Sequence, residues 1–304
     1  MGTRALIMAE PPAQCCFRCE YCYVPPGFDR RNDKTPVSSS DFIKLAERTG
    51  ADNYLFWMAS IGEPFMRPDA AEVFTGIALK HKIVAVTSLG YHGDDTPELL
   101  CDPKYASNVG MYWSIHYNEL LRTGTLDKTV ARVRKLLKAG VRVWPTLVMH
   151  PSYLDNLADI LELVKDLGLK LIPCRYRNGQ QDLAALPWED SFRAAHSANE
   201  AIHWGIWDNT ANCWKTKGHK CNAGISQVVV DAWWNICNCH GDKNKRVFGV
   251  FPRDAATVNL QSTGTCISSK CPCKHSVYWG SNEGYPHNFS HILNDWKDFA
   301  PELV

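Results

Sequence analysis

The chain alternates between short apolar runs and segments with a helical period. The apolar runs are Arg4–Ala9, Asn53–Ala59, Ile83–Ser88, Val109–Ile115, Val141–Met149 and Leu169–Cys174, each of a length and composition suited to a buried strand. Ser38, Ser39 and Ser40 offer N-caps for a helix ending near Gly50, and Pro68 opens another that runs to about Lys80. Asp127–Ala139 is the clearest helix, with Val130, Val133, Leu136 and Leu137 on one face and Arg132, Arg134, Lys135 and Lys138 off it. Gly140 stops it, and Gly168 closes a further helix over Leu154–Leu167. Six strands alternating with helices argue for βα units on a parallel sheet. Six units are too few for an eightfold barrel, so the pattern predicts an α/β fold in the form of an open, partial (β/α)6 barrel.

In such a fold the chemistry gathers on the loops after the C-terminal strand ends. A cysteine cluster follows the first strand and Glu63 the second; Ser88 ends the third, Ser114 to His116 the fourth. His150 follows the fifth, and Cys174 and Arg175 end the sixth. The pattern therefore brings these polar groups to one rim. After about Leu186 the alternation stops. A helix from Trp188 to about Ile202 leads into a segment rich in Trp, Cys and Gly, with Val228–Val230 its chief strand signal. The chain reads as a barrel over 1–186 and a smaller cysteine-rich domain over 187–304.

Charge removes some function classes. Thirty-three basic and thirty-two acidic side chains leave a formal charge of +1, so no global field draws the chain to nucleic acid or an anionic membrane. No apolar run has the length of a membrane helix, and the start of the chain is too short in apolar residues for a signal peptide. These features read as a cytoplasmic chain. Its thirteen cysteines then point to metal or redox chemistry, because disulfide frameworks belong to exported domains.

Cys15, Cys19 and Cys22 are spaced C-x3-C-x2-C, with Tyr21 before the last. Three thiolates on one loop can hold three irons of a [4Fe-4S] cube and leave the fourth open, whereas structural zinc prefers four closed ligands, to which Cys16 could contribute. With Gly62-Glu63-Pro64 after the second strand, this chain resembles the radical S-adenosylmethionine (radical SAM) superfamily. The resemblance implies that the cysteine triplet holds the cluster and that Gly62, Glu63 and Pro64 bind the methionine amino group of S-adenosylmethionine. Ile61 stands where that motif usually has a first glycine. Tyr21, Ser88, Ser114 and His116 fall where the family contacts the rest of the cofactor. A reduced cluster would then cleave S-adenosylmethionine to a 5′-deoxyadenosyl radical, which abstracts hydrogen from an unactivated carbon. A reductant such as flavodoxin or ferredoxin would supply the electron.

The later cysteines resemble the SPASM or twitch extension that binds auxiliary clusters. One auxiliary [4Fe-4S] cluster is expected, on Cys221, Cys239, Cys271 and Cys273, with Cys237 and Cys266 as alternatives; a structural zinc site is the competing reading. Cys174 lies where a thiol could return hydrogen to a substrate radical, although buried cysteines also serve as core filler. Arg175, Tyr176 and Arg177 could grip an anionic group. The reaction would be dehydrogenation, epimerisation or bond formation. Because the barrel pattern begins almost at residue 1, a small sugar-like or amino-sugar-like substrate is favoured over a peptide, and nucleic acid comes third. The contrasting class is a zinc-stapled interaction protein without catalysis.

Overall fold

The computed structural model describes residues 4–22, 35–91, 95–175, 193–194, 196–202, 220–221, 223–239, 245–262 and 264–265. The expected alternation is present. Strand β1 (Arg4–Ala9) is followed by α1 (Ser39–Glu47), β2 (Asn53–Met58), α2 (Ala70–Ala78) and β3 (Lys82–Thr87). Then come the short helices α3 (Thr96–Leu99) and α4 (Pro103–Ala106), β4 (Val109–Ser114), α5 (Tyr117–Thr123) and α6 (Leu126–Lys138). Strand β5 (Arg142–Met149), α7 (Leu157–Asp166) and β6 (Ile172–Arg175) complete the six expected strands. Helix α1 begins at a capping box, in which Ser38 N–H donates to Asp41 Oδ2 at 2.9 Å and Asp41 N–H donates to Ser38 Oγ at 3.3 Å. The segment before α7 is a 3-10 turn over Pro151–Asn156, so that helix starts later than its apolar pattern predicts.

Strands β1 to β6 lie side by side in sequence order, all parallel. Met8 faces Trp57, and Ser114 faces Thr146. Burial on both faces explains the near-continuous apolar runs: Ile7, Phe56, Val84, Met111, Trp113 and Leu147 are all buried. Each such side chain contributes about 1.5–3 kcal/mol by leaving water.

The sheet continues past β1. After β7 (Lys220–Cys221), β8 (Gln227–Val230) pairs parallel with β1, Ile7 opposite Val228. Strands β9 (Asn235–Cys237) and β10 (Val247–Val250) then add on antiparallel, and β11 (Gly264–Thr265) pairs with β7. The two parts of the chain are tied elsewhere too. The Phe42 and Phe251 rings lie 4.6 Å apart, and Arg48 Nε donates to the Val258 carbonyl at 3.0 Å. Most of the helix expected over Trp188–Ile202 lies outside the described residues; within it, Ile202 bridges to Leu171. Among the described residues no helix is long and apolar enough to cross a membrane.

Candidate active site at the strand ends

Two loops meet above β1 and β2. Ala13 N–H donates to the Ile61 carbonyl at 3.1 Å, and Glu63 N–H donates to the Gln14 carbonyl at 2.9 Å. This approach is why position 62 is glycine. Its φ is +130, and a Cβ there would lie 2.1 Å from the Ala13 carbonyl oxygen, a backbone clash that no rotamer relieves. Ile61, where a glycine was usual, packs its side chain on Ala232 of the C-terminal segment. Pro64 opens the 3-10 turn that follows.

This turn buries Glu63 to 3% exposure. Thr87 Oγ1 donates to Oε1 at 2.6 Å, while Ser88 donates to Oε2 from Oγ at 2.6 Å and from N–H at 2.8 Å. None of the ion pairs among the described residues involves Glu63. Burial pushes its carboxyl above the ordinary 4.5, against the hydrogen bonds from Ser88 and Thr87 that hold it down.

That shift predicts a pH effect on the chain without cofactor. Folded Glu63 keeps its proton to higher pH than the unfolded side chain, so its contribution is most favourable below 4.5. It is lost as pH rises from there through the folded value. Unfolding free energies of wild type minus those of Glu63→Gln should therefore decline with pH over that window, and a flat difference would refute the shift.

The cysteine loop adjoins this turn at Gln14. Cys19 Sγ lies 3.4 Å from His116 Nδ1, and the Tyr21 hydroxyl lies 2.6 Å from the same nitrogen. The Tyr21 hydroxyl is also hydrogen-bonded to that of Tyr153. Arg18 N–H donates to Glu119 Oε2 at 2.6 Å, and Glu119 is paired with Arg122. Burial pushes the Cys19 thiol up to about 12 and lowers the His116 imidazole to about 4. Cys15 and Cys22 are exposed, and Cys19 is half-buried. Among the described residues no three His, Cys, Asp or Glu side chains are gathered closely enough to hold a metal ion; the grouping of the thiols rests on their shared loop and spacing.

The sequence profile described as the radical SAM superfamily matches residues 10–167, which contain both loops. This chain belongs to the radical SAM superfamily. Radical SAM enzymes use a [4Fe-4S] cluster with S-adenosylmethionine. The chain is 25% identical over 163 residues to the antilisterial bacteriocin subtilosin biosynthesis protein AlbA of Bacillus subtilis (strain 168). That match takes in 52% of this chain and only 36% of AlbA. The fold is similar to Streptococcus suis SuiB bound to S-adenosylmethionine, at 13% identity and a TM-score of 0.54, over 81% of this chain and 63% of SuiB. It is also similar to anSMEcpe with bound AdoMet, at 13% identity and a TM-score of 0.56, over 99% of this chain and 94% of that one.

Within the radical SAM fold the other anticipated positions are uneven. Ser88, with its neighbour Thr87, meets Glu63, while Tyr21 and His116 meet each other at the cysteine loop. Ser114 ends β4 half-buried. Cys174 is half-buried on β6 opposite Val148 and hydrogen-bonded to the Tyr112 side chain. Cys221 is described by its backbone, which pairs with Gly264; Cys237 and Cys239 are buried. Cys266, Cys271, Cys273, Tyr176 and Arg177 lie outside the described residues. Tyr153 and Glu119 were not singled out by their sequence. Tyr153 lies three residues after His150 on the β5 loop, so the strand-end rule alone could have flagged it.

Proposed function

We propose that Cys15, Cys19 and Cys22 hold the site-specific cluster and that Glu63 receives the ammonium group of S-adenosylmethionine. The observation carrying this reading is the Glu63 carboxylate, buried at 3% exposure and without an ion pair among the described residues. A buried carboxylate is costly unless a cation meets it, and an ammonium group fits that demand. The donors fit the cluster as well: three thiols on one loop, none in a disulfide. When bound, the reduced pair supplies a 5′-deoxyadenosyl radical able to take hydrogen from an unactivated carbon. The chain's own part is to orient. Thr87 and Ser88 keep Glu63 ionisable, Gly62 lets the two loops touch, and Glu119 fixes the cysteine loop through Arg18.

The substrate class we read is a peptide, in place of the small molecule that the start of the sequence pattern favoured. AlbA is named for biosynthesis of a bacteriocin, SuiB has been solved with its precursor peptide SuiA, and anSMEcpe with the Cp18Cys peptide. An auxiliary cluster on Cys221, Cys239, Cys271 and Cys273 belongs to the same reading. Cys237, the alternative ligand, has its Sγ 3.9 Å from Asp231 Oδ2 and 3.6 Å from the Asn235 carbonyl.

The test is anaerobic reconstitution, then dithionite and S-adenosylmethionine with a panel of perdeuterated peptides. Deuterium in 5′-deoxyadenosine is the expected result; intact S-adenosylmethionine with zinc as the sole metal would sink the reading. In the same assay Cys174→Ala should still give 5′-deoxyadenosine but no epimerised peptide if the thiol returns hydrogen. Unchanged product removes that role from Cys174.

A further inference from the structure

The loop that carries Ser88 is held from behind by a residue that helical periodicity put off the core face of α6. Leu89 has φ 57, a left-handed conformation unfavourable for any residue with a side chain, and it is fully buried. Its carbonyl accepts Nη1 of Arg132 at 2.6 Å and, more distantly, Thr129 Oγ1 at 3.5 Å. Arg132 is itself only 3% exposed, and its Nε donates to Glu98 Oε1 at 2.9 Å. The guanidinium also lies 4.9 Å from the centre of the Tyr91 ring, which stacks on Phe65 at 6.3 Å. Ser88 and Phe65 both donate backbone N–H groups to Glu63, so the contacts of Arg132 reach both sides of that carboxylate.

We propose that Arg132, paired with Glu98, is a positioning residue for the amine pocket. It holds the turn after β3 in its left-handed form and so aims the Thr87 and Ser88 hydroxyls at Glu63. This rests on the reading of Glu63 given above. The Leu89–Gly90 peptide whose carbonyl Arg132 holds donates its N–H to Ser88 Oγ at 3.3 Å, and the Leu89 N–H donates to Thr87 Oγ1 at 3.0 Å, so a change in this turn moves both hydroxyls that donate to Glu63. A single buried ion pair is a poor source of stability, and here Arg132 Nη2 and Glu98 Oε2 have no hydrogen-bond partner among the described residues. The specific product of the pair is the fixed Leu89 carbonyl. Arginine suits this because its planar fork donates from two separate nitrogens, Nε to Glu98 and Nη1 to the Leu89 carbonyl, whereas the donors of a lysine all sit on one atom.

The experiment compares wild type, Arg132→Lys and the apolar pair Glu98→Leu/Arg132→Met, each reconstituted anaerobically. Affinity for S-adenosylmethionine is measured by equilibrium dialysis, beside iron content and thermal melting. Apolar replacement of a buried pair preserves stability, so the double variant should melt near wild type and keep its iron. It should bind S-adenosylmethionine about tenfold more weakly, equivalent to about 1.4 kcal/mol. Adding Leu89→Gly, which adopts the left-handed turn without a brace, should recover part of the loss, a rescue that a purely structural pair would not show. Arg132→Lys keeps the charge against Glu98 and gives the same weakening where the double variant does not fold. Affinities within about twofold of wild type in both variants, no more than the usual error of additivity, would overturn the proposal. A wild type that binds no S-adenosylmethionine would overturn the Glu63 assignment and the brace with it.

Discussion

Alanine at Cys15, Cys19 or Cys22 is expected to abolish 5′-deoxyadenosine formation and to remove about four irons per chain, the content of one cubane. Cys16→Ala in the same loop should leave both unchanged. The contrast is informative because the four cysteines share one short segment but differ in setting. Cys16 packs half-buried against the core beside Cys19, while Cys15 and Cys22 face solvent. The loop hangs from the sheet by its own contacts, with Arg18 N–H on Glu119, Tyr21 on Tyr153 and His116, and Cys22 N–H on the Cys19 carbonyl at 3.1 Å. Among the described residues none of the strands pairs through the loop, so loss of a thiol should not unfold the barrel. Circular dichroism and thermal melts close to wild type, with iron counting by chelation, would separate loss of the cluster from loss of the fold. Full iron content in Cys15→Ala and Cys22→Ala would remove the triplet as the ligand set.

Glu63→Gln should weaken S-adenosylmethionine binding by about thirtyfold or more, since removing one partner of a buried charge pair costs about 2–5 kcal/mol. The shape of the side chain is kept, and Thr87 Oγ1 still finds an acceptor. The charge that would meet an ammonium group is gone, and an amide nitrogen placed against the Ser88 donors has no acceptor there. The effect on stability should have the opposite sign. Burial disfavours the charged form of Glu63 in the cofactor-free wild type, so Glu63→Gln should melt no lower than wild type and bind far less. A parallel loss of melting temperature and of affinity would instead mark Glu63 as a structural acceptor for the β3 end. Equilibrium dialysis and calorimetry on the same preparations decide between these outcomes.

What the sequence by itself determined was local. The six apolar runs, the serine cap of α1, the glycine stops of the helices and the spacing of Cys15, Cys19 and Cys22 are all written in near neighbours. Strand-end placement then puts Glu63, Ser88 and His116 at one rim. The tertiary structure alone decided three things. It put β8 beside β1, a pairing between residues more than two hundred positions apart, which no period along the chain records. It turned Arg132 inward. Periodicity assigns a face by angle, but a long arginine stem can carry its charge under the neighbouring strand end when Glu98 and the Leu89 carbonyl meet it there. It also brought Tyr153 and Glu119 onto the cysteine loop, through contacts between segments about a hundred residues or more apart. Side chains of that kind carry no spacing signature, because their partners are fixed by how the βα units pack and not by their neighbours in the chain.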